Sequence, residues 1–149
     1  MRGLTDPFSY QRPFCFEKIR SIRAVQTLSE QRKAMERLEE VVRELREFVA
    51  EREWEQFHDP KNLVMAVASE AGELLAEYRW VSNAEADEYS KQEEHRKRIA
   101  AEAADVGIAL LLFCDRIGLD LVEAIREKMA LNRRSYPVEE SRGRWERPS

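Results

Sequence analysis

Glycine and proline are scarce in this chain of 149 residues, with five of each, and four of the prolines lie near the termini. A fold of many strands joined by tight turns needs such residues at regular intervals, so their scarcity in the interior argues against it. Cysteine is also rare, and Cys15 and Cys114 lack the close spacing of a zinc site. Nothing calls for an oxidising compartment, and we expect Cys114 to be a core residue.

The chain also lacks an excess of basic charge and any long apolar run. Its 25 basic and 29 acidic residues give a net charge of −4, so we expect no nucleic-acid partner. The longest apolar run, Val106 to Cys114, has nine residues, whereas a membrane span needs roughly 20. The N-terminus does not resemble a signal peptide. We therefore expect a soluble, cytoplasmic protein that contacts no membrane.

Apolar residues at spacings of three and four predict four helices, over about 30–56, 60–80, 93–117 and 121–134. Asp59-Pro60 and Asp120 are start signals for the second and fourth helices, and Gly118 is a stop signal for the third. Residues 82–94 are expected to be a polar connector. The buried face of the fourth helix is expected to comprise Val122, Ile125 and Met129.

The predicted organisation is an all-α four-helix bundle over residues 29–137. A poorly specified extension, residues 1–28, precedes it, and an irregular tail, residues 138–149, follows it.

Two predicted helices each carry a pair of carboxylates three residues apart, Glu70 with Glu73 and Glu102 with Asp105. Residues at this spacing share one helix face, and an antiparallel helix pair can bring the two faces together. The second helix is apolar around most of its remaining circumference, which predicts burial in a core or an oligomer interface. One such pair is usually a solvated surface, but two pairs beside apolar segments indicate a site.

Charge repulsion indicates what such a cluster holds. Two carboxylates about 4 Å apart repel by roughly 4 kcal/mol at an effective dielectric constant of about 20. Four would protonate or separate unless a cation joined them, and oxygen ligands favour Mg²⁺, with Mn²⁺ as the alternative. A di-iron site would need a His three residues after a Glu, which neither helix has. Glu77 stays open as a fifth ligand or as a residue outside the ligand set.

A longer, ordered set of motifs resembles the MazG-like all-α nucleoside triphosphate pyrophosphohydrolases, and among them the dCTP pyrophosphatase-like branch. Any single motif is weak, but the ordered set is specific. The resemblance extends from about residue 38 to 143 and rests on Glu53-Trp54-Glu55-Gln56-Phe57-His58, Pro60-Lys61-Asn62-Leu63, Ser69-Glu70-Ala71-Gly72-Glu73-Leu74, Trp80, Glu102-Ala103-Ala104-Asp105-Val106, Lys128-Met129 and Asn132-Arg133-Arg134-Ser135-Tyr136-Pro137.

The resemblance implies hydrolysis of a (deoxy)nucleoside triphosphate to the monophosphate and pyrophosphate, a house-cleaning reaction of the nucleotide pool. The expected substrate is dCTP or a modified dCTP. The implied Mg²⁺ ligands, which would neutralise the triphosphate and activate water, are Glu70, Glu73, Glu102 and Asp105. Glu70 or Glu73 is the better candidate for the catalytic base. The implied assembly is a homo-oligomer, a tetramer rather than a dimer, with sites near subunit contacts.

The resemblance also implies a set of substrate-binding residues. They are Trp54 and Trp80, which would stack on the base, the polar His58 and Asn62 near them, and Lys128, Asn132 and Tyr136 toward the phosphates. Each has an ordinary structural alternative: core packing for the tryptophans and the histidine, and a favourable charge at the helix end for the lysine.

Two positions depart from the family pattern. Ala109 stands where the branch commonly has Tyr, and Leu45 stands where the animal enzymes have His. Both bear on the base pocket, so the metal chemistry is better specified than the base. Two other interpretations stay open: a non-catalytic nucleotide-binding or scaffold oligomer of the same fold, and the dimeric dUTPase or phosphoribosyl-ATP pyrophosphohydrolase branches. The Trp-Glu-Gln-Phe-His and Tyr-Pro segments argue against the latter branches.

Overall fold

A computed structural model of the chain describes Lys33 and residues 36–144. The predicted extension at 1–28 and the end of the predicted tail lie outside the described residues. Residues from Glu44 onward belong to one compact unit, and the contacts discussed below all lie within it.

The secondary structure of residues 36–144 is helical, with no strand, as the all-α prediction requires. Among these residues, none of the helices is long and apolar enough to cross a bilayer. The elements in chain order are α1 (36–50), a 3₁₀ helix (Trp54–Phe57), α2 (Pro60–Tyr78), α3 (Ala86–Lys91), α4 (Glu93–Arg116), α5 (Leu121–Ser135) and α6 (Val138–Ser141).

Side-chain caps fix the starts of α2 and α5. The Asp59 carboxylate accepts the backbone N–H of Asn62 at 3.0 Å, with Pro60 in the first turn. The Asp120 carboxylate accepts the backbone N–H of Glu123 at 2.9 Å. Each cap satisfies an N–H that has no partner inside the helix. Both predicted start signals are confirmed.

Gly118 ends α4 in the left-handed conformation, with φ of 66°. Its N–H donates to the carbonyl of Asp115 at 3.1 Å, and the N–H of Leu119 donates to the carbonyl of Cys114 at 2.8 Å. These two bonds form a Schellman motif, which satisfies carbonyls that the helix itself leaves free. The predicted stop signal is thus confirmed.

Three segments differ from the predicted helix pattern. Helix α1 ends at residue 50 rather than near 56, because Glu53 has a positive φ of 53° that breaks the helical path. The predicted connector contains α3, whose Tyr89 ring contacts Tyr78 at 5.8 Å and whose Ser90 shares a 2.8 Å hydrogen bond with the Tyr78 hydroxyl. In the predicted tail, residues 138–141 form a single helical turn.

Helices α2 and α4 pack against each other, and α3 packs on α4. Leu63 in the first turn of α2 and Leu112 in the last turns of α4 line the same cavity. At the opposite end, Glu77 of α2 contacts Arg98 of α4. The order of these contacts shows that the two helices are antiparallel, as the carboxylate pairs require.

The core of the single chain is small. Among the described residues, the buried apolar side chains are Val49, Leu63, Ala109 and Cys114. Cys114 is therefore a core residue, as predicted, and burial raises the pKa of its thiol.

Two apolar faces stay uncovered in one chain. On α2, Val64, Met65 and Leu75 are 49%, 60% and 69% exposed. On α5, Ile125 and Met129 are exposed and Val122 is half-buried, so the prediction of a buried face there is wrong for the single chain. In the described part of the chain, extensive contacts between helices join α2 to α4 and α3 to α4. Helix α5 makes no contact of similar extent with α2, α3 or α4.

Candidate metal and substrate site

Three carboxylates from two helices meet between α2 and α4. Glu70, Glu102 and Asp105 each offer an oxygen, and these oxygens lie within 4.8 Å of one another. Glu70 and Glu102 are half-buried and Asp105 is exposed. The spacing of three residues places Glu102 and Asp105 on one face of α4, and the antiparallel packing brings Glu70 opposite them.

The surroundings of Glu102 disfavour its negative charge. Partial burial raises the pKa of its carboxyl above the usual range, and the charges of Glu73, Asp105, Glu70 and Glu77 raise it further. A cation would relieve this repulsion. The donors are all carboxylate oxygens, so the cluster could hold a hard divalent ion, which prefers oxygen ligands.

Glu73 lies one turn after Glu70 on α2 and is exposed. It is not among the three residues whose oxygens converge, but its charge acts on Glu102 more strongly than any other. Three of the four predicted metal ligands therefore meet, and the fourth lies beside them.

A cavity of about 410 Å³ lies at the end of the α2–α4 pair where α2 begins. This volume is within the range of small-molecule sites, roughly 300–1,000 Å³. His58, a predicted substrate residue, is half-buried in its wall. The apolar part of the lining comprises Val49, Ala50, Leu63 and Leu112, and the polar part comprises Arg46, Glu47, Glu55, His58, Asp115 and Arg116.

The other predicted residues of the base pocket are more exposed. Trp54 is 44% exposed and packs edge-to-face on Phe48 at 5.9 Å. The Asn62 side-chain amide donates to the carbonyl of Phe57 at 3.1 Å, so it also holds the turn before α2. Trp80, just beyond α2, is 91% exposed, which rules out a core role for it in the single chain.

The predicted phosphate-side residues lie on α5 and at its end. Lys128 and Tyr136 are exposed, and Asn132 is half-buried. The carbonyl of Asn132 accepts the N–H of Tyr136 at 2.9 Å, which closes the helix.

Sequence reasoning missed two arginines beside the site. Arg98 contacts Glu77, and its position four residues before Glu102 on one helix face could have revealed it. Arg46 contacts Asp115 across 69 positions, for which the sequence carries no local signal. Of the two departures from the family pattern, Ala109 is buried and Leu45 is half-buried.

Fold and site together define an all-α protein that gathers acidic side chains between two antiparallel helices. The model of the MazG-like family matches residues 65–147, more than half of the chain. The chain belongs to the MazG-like family.

Named relatives agree with this assignment. The chain is 43% identical to rat dCTP pyrophosphatase 1 over 106 residues, which cover 71% of this chain and 62% of the rat protein. It is 40% identical to human dCTP pyrophosphatase 1 over 101 residues, covering 68% and 59%. The chain thus spans less than two thirds of the length of these relatives. A crystal structure of a pyrophosphatase from Archaeoglobus fulgidus superposes with a TM-score of 0.63 at 38% identity, covering 66% of this chain and 91% of that one.

Proposed function

We propose that the chain is a divalent-cation-dependent nucleoside triphosphate pyrophosphohydrolase that converts dCTP, or a modified dCTP, to the monophosphate and pyrophosphate. The observation that carries the proposal is the convergence of Glu70, Glu102 and Asp105 between α2 and α4. The names of the rat and human relatives support dCTP as the nucleotide. A house-cleaning role in the cytoplasm is part of the proposal.

Glu70, Glu102 and Asp105 would hold the cation, Mg²⁺ before Mn²⁺, with Glu73 as the fourth ligand. When bound, the ion would neutralise triphosphate charge and lower the pKa of water. Glu73 is exposed, lies one turn after Glu70 on α2, and is not among the residues whose oxygens converge. We therefore propose that one oxygen of Glu73 is the fourth ligand while the other accepts a proton from water, and we prefer Glu73 to Glu70 as the base.

The antiparallel helices also suggest where the nucleoside lies. Glu70 lies seven positions after Leu63 on α2, and Leu112 lies seven positions after Asp105 on α4. At 1.5 Å per residue, the cavity is about 10 Å from the carboxylates along both helices. A ribose and its phosphates span a similar length. We place the base in the cavity beside His58, with Trp54 and Asn62 as further base-side contacts and Lys128, Asn132 and Tyr136 on the phosphates. Trp80 lies just beyond the other end of α2, about 25 Å from Leu63, so it would contact a base only from another copy of the chain.

The uncovered apolar faces support a homo-oligomer. Val64, Met65 and Leu75 leave one side of α2 apolar and exposed, and α5 exposes Ile125 and Met129. Exposed apolar surface that is contiguous on a helix marks an interaction site. A second copy of the chain is the partner we propose, with a tetramer as the complete assembly.

Pyrophosphate release tests the proposed function. The panel contains dCTP, 5-methyl-dCTP, dUTP and the four ribonucleoside triphosphates, each with Mg²⁺, Mn²⁺ or EDTA. We expect metal-dependent turnover that favours the cytosine deoxynucleotides. Glu73→Gln should reduce turnover by roughly 100-fold or more while the protein stays folded. Glu93→Gln, at the exposed start of α4, is the matched control and should leave turnover unchanged.

Two results would contradict the proposal. Turnover that persists in EDTA would contradict the dependence on a cation, and wild-type turnover in Glu73→Gln would remove Glu73 from the chemistry. Nucleotide binding without turnover would instead support the non-catalytic module of the same fold.

A further inference from the structure

Arg98 and Glu77 form an ion pair at the edge of the carboxylate cluster. Glu77 lies one turn after Glu73 on α2, and Arg98 lies one turn before Glu102 on α4. The Arg98 Nε donates to Glu77 Oε2 at 3.0 Å. The Glu77 side chain is only 20% exposed, so this contact determines where its carboxylate points.

All three guanidinium nitrogens of Arg98 have partners. Besides the Nε contact, Nη1 donates to Glu94 Oε1 at 3.2 Å and Nη2 donates to the Tyr89 hydroxyl at 3.3 Å. Helix α3 supplies Tyr89, whose ring stacks on His95 at 3.8 Å. A planar guanidinium fixed at each nitrogen has little freedom to turn, so it presents Nε to Glu77 in one orientation.

The carboxylate of Glu77 is close enough to act on the cluster. It lies one turn of α2 from Glu73, and its partner Arg98 lies one turn of α4 from Glu102, a rise of about 6 Å on each helix. Its oxygens are nevertheless not among those that converge with Glu102. Without Arg98, a fifth carboxylate would carry an uncompensated charge beside the cluster and would be free to turn toward it.

We propose that Arg98 is a positioning residue that holds Glu77 out of the metal-ligand set and so limits the cation affinity of the cluster. The inference rests on the proposed function, because it presumes that the cluster binds a cation. The sequence left Glu77 open as a fifth ligand; in this inference it lies outside the ligand set, and Arg98 keeps it there. A site with one carboxylate fewer also favours Mg²⁺, which keeps several waters, over Ca²⁺, which takes six to eight oxygen ligands.

Mn²⁺ binding to the full-length protein without nucleotide tests this role, with free Mn²⁺ measured by electron paramagnetic resonance. We expect Arg98→Met to bind Mn²⁺ roughly three- to tenfold more tightly than the wild type, and to gain still more affinity for Ca²⁺ in competition. Glu77→Gln should bind more weakly, because one negative charge beside the cluster is lost and Arg98 then has only Glu94 as an ionic partner. The double variant should return close to wild-type affinity.

Lys97→Met is the matched control, because it removes one positive charge from the neighbouring position on α4. Lys97 is exposed and pairs with Glu93 at 3.1 Å, away from the cluster. The affinity of the Lys97→Met variant for Mn²⁺ should stay within twofold of the wild type, which is roughly the effect of a screened surface charge. Arg98→Lys keeps the charge but loses the three-point contact, and we expect intermediate affinity. Circular dichroism checks that each variant is folded.

The outcomes separate this inference from the proposed function. A wild-type protein that binds no Mn²⁺ would overturn the metal site and this role with it. A wild type that binds Mn²⁺, together with folded Arg98→Met or Arg98→Lys of unchanged or weaker affinity, would overturn the positioning role alone. Equal gains in Mn²⁺ affinity in Arg98→Met and Lys97→Met would also overturn the positioning role, since they would show a non-specific effect of charge.

Discussion

Arg46 on α1 and Asp115 near the end of α4 form an ion pair across 69 positions of sequence. The Arg46 Nε lies 2.9 Å from one carboxylate oxygen of Asp115 and 3.0 Å from the other, and Nη2 also contacts the carboxylate. The hydrogen bond from Arg46 lowers the pKa of the Asp115 carboxyl. The pair joins two walls of the cavity that also contains His58.

The first prediction concerns the pH dependence of this pair. The folded-state pKa of Asp115 is depressed, so the pair stabilises the fold above the ordinary pKa of 3.8, and this contribution is lost as pH falls through the depressed value. At pH 7, Arg46→Met should lower Tm by about 1–3 °C, since the pair is partly exposed. The difference in Tm between variant and wild type should shrink toward pH 3. A difference independent of pH would contradict the assignment.

The second prediction concerns the repulsion inside the carboxylate cluster. Burial and neighbouring charges raise the pKa of Glu102, so its ionised form destabilises the metal-free fold at neutral pH. Glu102→Gln should therefore raise the Tm of EDTA-treated protein and reduce the increase that Mg²⁺ produces. Differential scanning fluorimetry at pH 7 measures both, with Glu139→Gln on the exposed α6 as control. If Glu102→Gln had a lower Tm than the wild type in EDTA, the Glu102 carboxylate would be favourably paired in the metal-free fold, and the prediction would be wrong.

The third prediction concerns the end of α4. Gly118→Ala forces a side chain into the left-handed conformation and should cost about 1–2 kcal/mol in the free energy of unfolding. Gly107→Ala, in the middle of α4, meets no atom within 4 Å and should stabilise by up to about 1 kcal/mol. Urea unfolding measures both variants. Effects of the same sign would contradict the conformational argument.

The fourth prediction concerns the uncovered face of α2. Ala68 lies on α2 among Val64 and Leu75, so Ala68→Asp would place a charge in the proposed subunit contact. We expect the oligomer to dissociate, as measured by sedimentation velocity. Ala84→Asp, in the exposed turn before α3, makes the same substitution and should leave the assembly intact. Dissociation of both variants, or a monomeric wild type, would contradict the proposed interface.

Local signals in the sequence predicted the parts of the fold that depend on nearby residues. Asp59, Asp120 and Gly118 each form hydrogen bonds within five positions of themselves, so their identities suffice to place a helix end. The convergence of Glu70 with Glu102 and Asp105 was predictable for a similar reason. Helical periodicity sets each face, and only the antiparallel packing had to be assumed.

The remaining features depend on contacts that no local pattern encodes. The pairing of Arg46 with Asp115 requires knowledge of how α1 approaches α4. Helix α3 has no apolar stripe, and contacts of Tyr89 and Ser90 with Tyr78 hold it instead. The apolar residues of α5 predicted a buried face, but periodicity does not tell whether the same chain or another copy covers it.

The antiparallel alignment of α2 and α4 has a consequence for the proposed nucleotide site. The cavity, the carboxylates and the Arg98–Glu77 pair follow one another along α2 and α4, with the cavity about two turns from Glu70 and Asp105 and the ion pair one turn from Glu73 and Glu102. Deleting one residue between Leu63 and Glu70 would rotate every later side chain of α2 by about 100° relative to the cavity. If the base lies in the cavity as proposed, the number of residues between Leu63 and Glu70 sets the distance from the base to the cation, and so the length of the phosphate chain that can reach it.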